Sequence, residues 1–188
     1  MANWLNLRLE VSGPLSAVRK FRRSAGRPPS AVFPEDLAVG EGGDFGADPI
    51  QPFGSVFKTA PYRFQGCNDD YVEHFAAVSR SFPDLAFVLV YSDPNGDSHG
   101  SYLVLNGRRR GWELPVRVKK EILKRKYKRA GVVDGRGRVD YDADEADFAE
   151  WEAFWEMMDV AEAHWRQDVR AFLKKTDRAT TRNRPSRR

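Results

Sequence analysis

The sequence has little of the chemistry that marks a secreted domain or a metalloenzyme. One cysteine, Cys67, stands in 188 residues, which excludes an intramolecular disulfide and any zinc site built on this chain's own thiolates. There are three histidines, His74, His99 and His164. None lies within about two to five residues of another histidine or cysteine, the spacing that metal sites use. His99 stands near Asp97, Ser98 and Ser101, but a triad drawn from so short a segment would not place its groups correctly. No phosphate loop, dinucleotide fingerprint or GxSxG elbow occurs. Asp140, Asp142, Asp144, Glu145 and Asp147 imitate the start of a calcium loop, yet Glu145 and Trp151 occupy its diagnostic glycine and glutamate positions. An acidic helix N-terminus accounts for that cluster without a metal. No apolar run approaches the roughly 18 residues of a spanning helix, and MANWLNLRLE mixes charges into its apolar residues, unlike a signal peptide. The expectation is a soluble cytoplasmic protein that is not an enzyme, with no cofactor, metal, membrane contact or small-molecule substrate.

Charge is plentiful and unevenly placed. Charged residues make up 31% of the chain and the net charge is +4, against a usual charged share of about 25%. Residues 1–105 are net −3, residues 106–133 net +9, residues 134–163 net −9, and residues 164–188 net +7. The first part is ordinary, and the rest is built of blocks.

In the first part, Leu5, Leu7, Leu9 and Val11 alternate with Asn6, Arg8 and Glu10, as in a half-buried strand. Ser12-Gly13-Pro14 starts a helix with Ser12 as candidate cap. Its buried face is Leu15, Val18 and Phe21, and its end falls near Ala25-Gly26. Residues 26–52 hold five glycines and five prolines and no period, so they read as an irregular excursion pinned by Val32, Phe33, Leu37 and Phe45. Val56–Lys58 and Tyr62–Phe64 read as two short strands or one kinked strand. Asn68, Asp69 or Asp70 caps a helix that buries Val72, Phe75, Ala76, Ser79 and Phe82 and stops at Pro83. Leu85–Tyr91 is continuously apolar, as in a central strand covered on both faces, and forms a hairpin with Ser101–Leu105 across the Asp93–Asp97 turn. Strand, helix, one or two strands, helix and hairpin predict an α+β ferredoxin-like sandwich over 1–106, an antiparallel sheet with two helices on one face.

A charged helical extension follows, over 107–175. Residues 115–129 form a basic helix, and Val132-Val133 with Val139–Tyr141 a small hairpin. A long helix without glycine or proline runs from about 143 to 175. Its stripe is Phe148, Trp151, Trp155, Met158, Glu162, Trp165, Val169 and Phe172, with Glu162 as the only interruption. The stripe has two readings: packing within the chain, or a homodimer or protein-partner seam. Residues 176–188 should be a disordered basic tail.

The charge blocks also have two readings. The acidic helix can lie against the basic one and neutralise it. Alternatively, Arg108, Arg109, Arg110, Lys119, Lys120 and Lys124 contact nucleic-acid phosphates, together with Arg182, Arg184, Arg187 and Arg188 of the tail. Phe53-Gly54-Ser55-Val56-Phe57 resembles the aromatic strand of RNA-recognition domains in outline. It lacks the leading basic residue, and Ser55 stands where a stacking aromatic belongs.

Met1-Ala2-Asn3-Trp4 with Leu9–Pro14, Phe57-Lys58-Thr59 with Pro61, and Ser79–Leu85 with Tyr91 resemble the opening, strand and helix-to-strand segments of the YubB ferredoxin-like group, also called Api-ninety-two-like. The likeness covers residues 1–105 apart from the loop at 26–52, which stands in place of that group's tryptophan-rich stretch. It implies a ferredoxin-like sandwich in a plasmid- or phage-associated bacterial protein, and no catalytic residues. The functional expectation is therefore a non-enzymatic accessory protein of a mobile element that binds nucleic acid. The alternative is a protein-interaction or oligomerisation module that uses the aromatic stripe.

Overall fold

The computed structural model describes residues 4–26, 30–33, 46–67, 71–93, 98–131 and 143–182. Its sheet is antiparallel throughout and contains β1 (Trp4–Gly13), β2 (Gly46–Ala47), β3 (Gln51–Phe53), β4 (Phe57–Cys67), β5 (Ala86–Ser92), β6 (His99–Leu105) and β7 (Arg108–Glu113). The order is β2-β4-β1-β5-β6-β7, with β3 also paired to β4. The chain is thus α+β, as its pattern predicts.

Alternation along β1 sends Leu7, Leu9 and Val11 to one face, where they meet α1 (Leu15–Ala25) and α2 (Val72–Arg80). Phe21 of α1 packs edge-on to Tyr62, Phe82 and Phe87 at 5.2–5.8 Å between centroids. Val32 and Phe33 are buried in the same core, as expected of pinning residues; Leu37 and Phe45 lie outside the described residues. Gly26, at φ 51°, ends α1 where expected. Ser12 is not its cap. It lies within β1 and its hydroxyl donates to Thr59 Oγ1 at 3.0 Å, while Pro14 precedes the helix. The positions expected to cap α2 lie outside the described residues, and Tyr71, in the left-handed region at φ 56°, precedes that helix.

The opposite face is covered by the C-terminal helices. All seven residues of β5 are buried. Phe87, Leu89 and Tyr91 belong to the core under α1 and α2. Ala86, Val88 and Val90 pack with Leu103, Met158, Ala161, Trp165, Val169 and Leu173. The sheet also continues past residue 106. Asn106 and Gly107 adopt φ of 47° and 80° in a tight turn, the asparagine–glycine pairing that suits a two-residue hairpin, and β7 follows. The segment expected to be an extension therefore supplies an edge strand and a covering layer.

Two further expectations are corrected. Part of 26–52 is ordered as β2 and β3 on the β4 edge. The long helix is two helices, α4 (Ala143–Ala163) and α5 (Arg166–Arg182), so helix also reaches into the segment expected to be a disordered tail. The break at His164-Trp165 has a tertiary cause. Ser101 of β6 donates its hydroxyl to Ala161 O at 2.8 Å, the carbonyl that Trp165 N–H would use in a continuous helix. Trp165 N–H turns to Glu162 O at 3.3 Å, and its indole N–H donates back to Ser101 Oγ at 2.9 Å. A side chain inserted into the helical ladder is a recognised origin of such breaks.

α3 (Val116–Arg129) lies on the outer side of α4, with Ile122 and Leu114 against Ala153 and Met157. α4 is consequently apolar on two sides. The hairpin expected at 132–141 lies outside the described residues.

Truncating either core should cost the same order of stability. Leu89→Ala, under α1 and α2, and Leu173→Ala, on the inner face of α5, should each lower the unfolding free energy by about 2–5 kcal/mol in urea titrations. A value near zero for Leu173→Ala would mean that α5 is not part of the folded unit.

Candidate nucleic-acid interface

The basic and acidic helices meet through the C-terminal half of α3. Arg125 pairs with Glu156, Lys126 with Glu152 at 3.3 Å and Glu156 at 3.4 Å, and Tyr127 donates to Glu150. The partners run in opposite order along the two helices, so α3 and α4 are antiparallel. Such pairs, mostly exposed, contribute roughly 0–1 kcal/mol each and serve orientation more than stability.

The Arg108–Arg110 run does not form one patch, because alternation along β7 divides it. Arg109 pairs with Glu73 of α2 on one side of the sheet. Arg110 pairs with Asp168 of α5 at 3.0 Å, its guanidinium 5.1 Å from the Trp165 ring centroid. Arg108 shares the parity of Arg110 and is exposed. On α3, Lys119 is half-buried, and exposed Lys120 and Lys124 flank a shallow groove with Val116, Arg117 and Glu121.

Exposed cations without an ion pair among the described residues lie on α3, at Lys120, Lys124, Lys128 and Arg129, and in a regular row on α5. Arg166, Arg170, Lys174 and Arg178 recur every fourth residue, one helical turn and about 6 Å apart along the axis. Arg166 pairs with Glu162 at 3.6 Å. Arg170, Lys174, Lys175 and Arg178 are exposed and form no ion pair among the described residues. The spacing continues in sequence to Arg182, whose side chain lies outside the described residues, as do Arg184, Arg187 and Arg188.

The opposite side of α5, Val169 and Leu173, holds it on the sheet. Beside it the β3–β4 turn forms a groove of about 480 Å³, lined by Phe53–Phe57 and by Arg170, Lys174, Asp177 and Arg178. The Arg170 guanidinium lies 5.9 Å from the Phe53 ring centroid, and Val56 is 66% exposed. The aromatic pentapeptide is therefore a turn between two strands rather than a strand, with Gly54 at φ 67°. Strand register runs Thr59–Ser12–Ala86–Leu105–Arg108 across this face, so Arg108 stands beyond α5 from the Phe57 side. The four-residue repeat of cations was the signal available in the sequence for α5.

Most of the aromatic stripe is used within the chain. Met158, Trp165 and Val169 are buried on the sheet, and Trp155 and Phe172 are half-buried against it. Phe148 and Trp151 remain 58% exposed, their rings stacked at 6.2 Å. The histidines are engaged structurally: His74 Nε2 with Val32 O, His99 Nδ1 with Ser92 Oγ, and the His164 ring stacked on Trp112 at 4.2 Å. Among the described residues there is no cluster of three metal-ligating side chains, and no helix is long and apolar enough to cross a membrane.

Glu162, the interruption in the stripe, faces the polar parity of β1. Arg8 Nη2 lies 2.8 Å from Asp159, and Arg8 Nε lies 3.2 Å from Glu162. Burial, then the Glu162 charge beside it, pushes Glu10 from 4.5 up to about 7, against the opposing pull of Arg8 and Arg166. No family model, curated protein or solved structure matches the chain.

A group whose folded pKa is raised holds its proton more tightly when folded, so its contribution to stability is lost as pH rises through that window. The urea midpoint should fall between pH 5 and pH 8 in the parent protein, and Glu10→Gln should flatten that fall. An equal slope in both would remove Glu10 as its source.

Proposed function

We propose that this protein is a non-enzymatic accessory factor that binds nucleic acid through the exposed face of α5, the adjoining β3–β4 turn and the basic residues that follow. The observation that carries the proposal is the row Arg170, Lys174 and Arg178, unpaired and beside an aromatic turn. Cations grip phosphates by releasing counterions, while Phe53 and Phe57 offer ring surface to bases. Arg108 adds a cation on the far side of α5. Arg109 and the inner face of α3 contribute less, since their charge is engaged by carboxylates.

The core topology is read as ferredoxin-like. Strands β3-β4-β1-β5 lie in that order with alternating direction, β1 and β4 each lead through a helix toward a strand of the same direction, and α1 and α2 share one face. Together with the resemblance of residues 1–105 to the YubB group, this supports a role in a bacterial mobile element.

Fluorescence anisotropy of a labelled duplex, titrated between 50 and 200 mM salt, tests the proposal. Four phosphate contacts give a log–log slope of about −3.6, and Lys174→Glu with Arg178→Glu should reduce its magnitude by about two. Lys120→Glu with Lys124→Glu on α3 should change it less. Absence of binding at low salt, or a slope unmoved by the α5 pair, contradicts the proposal.

A further inference from the structure

At the other end of the second sheet face, a cleft opens between β1, β2 and β4 on one side and α4 on the other. Its inner part, about 460 Å³, is lined by Asn6, Arg8, Arg63, Gln65, Trp155 and Met158, among others. Its outer part, about 610 Å³, shares Arg8, Arg63 and Trp155 and adds Trp151 and Lys126 with the acidic residues of α4. Each part falls within the size range of small-molecule sites.

Three features give this cleft a chemical preference. Arg8 and Arg63 are direct cross-strand partners in the β1–β4 register. Like charges placed opposite one another destabilise a sheet, and here Asp159 and Glu162 beside Arg8, with Asp48 beside Arg63, offset that cost. Asp159 and Asp48 each take one Nη2, at 2.8 and 2.9 Å, which orients the two guanidinium groups. The Nη1 groups take part in neither pair, and an arginine has five donors to place.

The second feature is the Trp155 indole N–H. It is buried and has no acceptor among the described residues. A buried donor left unmet is unfavourable, and an indole N–H can only donate, so whatever meets it must bring an acceptor. Beside it, the Gln65 amide donates to Asn6 Oδ1 at 3.2 Å, which fixes both amides at the cleft wall.

The third feature is Trp151, 58% exposed at the outer part, with its ring 5.9 Å from Trp155 and at 75° to it. Two indoles at that angle form a corner that accepts a flat ring by stacking on one and edge contact with the other. The acidic side chains of the outer part are already engaged: Glu152 and Glu156 by Lys126, and Asp159 by Arg8. In the inner part Asp48 meets Arg63, while Asp159 and Glu162 meet Arg8, so what the two arginines still offer there is their Nη1 donors, with the rings outside.

We propose that this cleft binds a small ligand with a planar ring and an oxyanion. The oxyanion sits at the Arg8–Arg63 pair within reach of the Trp155 indole N–H, and the ring lies in the Trp151–Trp155 corner. The site is separate from the α5 face and does not depend on nucleic-acid binding. Phosphate and carboxylate satisfy the same donors, so both are tried.

Titration calorimetry on the full chain, with tryptophan fluorescence as a second readout, tests this with adenosine monophosphate, indole-3-acetate, adenosine and inorganic phosphate. At least one of the two ring-bearing anions should saturate below about 1 mM, and which one does identifies the oxyanion. Adenosine and inorganic phosphate should each bind about tenfold more weakly or worse, since each lacks half of the recognised group. Arg63→Ala should weaken the ring-bearing anion by about tenfold and Arg63→Lys by less, because lysine keeps the charge without the fork. Circular dichroism checks that both variants are folded, and Trp151→Ala offers an exposed substitution that leaves the sheet intact. Lys174→Glu with Arg178→Glu should leave this binding unchanged. No saturation by either ring-bearing anion, adenosine binding as tightly as its monophosphate, or indifference to both Arg63→Ala and Trp151→Ala would overturn the proposal.

Discussion

The burial of β5 on both faces is the constraint on which the rest of the molecule depends. Seven consecutive side chains, Ala86–Ser92, are withdrawn from solvent. A strand with apolar residues on both parities cannot be stable with one face wet. One helical layer, α1 and α2, meets Phe87 and Leu89. The other must come from the C-terminal third of the chain, and Met158, Ala161, Trp165, Val169 and Leu173 supply it. The highly charged C-terminal region therefore supplies one wall of the structure's interior as well as much of its polar exterior.

Much of this was legible in the sequence. Alternation identified β1, the apolar run identified β5 as a two-faced strand, and the helical spacings located α1, α2 and α3. What escaped depended on contacts distant in sequence. The break between α4 and α5 has no local cause, since neither glycine nor proline is present; it follows from the Ser101 hydroxyl occupying the Ala161 carbonyl. The polar parity of β1 looked like a solvated face, yet Arg8 and Glu10 lie under the α4–α5 junction, and Glu162 is the residue that meets them. Asn106-Gly107 is a local signal of a hairpin, and it joins β6 to β7 where the sequence pattern ends the first part at residue 106.

The charge arithmetic changes meaning once folded. α3 and α4 lie against each other and are joined by Arg125 and Lys126 to Glu152 and Glu156, and alternation along β7 sends the Arg108–Arg110 run to two sides of the sheet. A regular row of cations is arranged along α5, where one face is tied to the core by Val169 and Leu173 and the other carries cations four residues apart. A rigid helix fixes the spacing of those cations, which a flexible tail would not. The sheet's second face is thus divided among three uses: an apolar floor under α5, a buried polar strip at Arg8, Glu10 and Glu162, and a cleft at Arg8 and Arg63.

The claim that the C-terminal helices and the sheet form one cooperative unit is tested most directly by urea unfolding followed with two probes. Tryptophan fluorescence reports chiefly on the α4–α5 layer, through Trp151, Trp155, Trp165 and Trp112, which stacks on His164. Far-ultraviolet circular dichroism reports on the whole backbone. One shared midpoint is expected if β5 needs both layers at once. An earlier, separate fluorescence transition, with most secondary structure retained, would show that the sheet stands without its second cover.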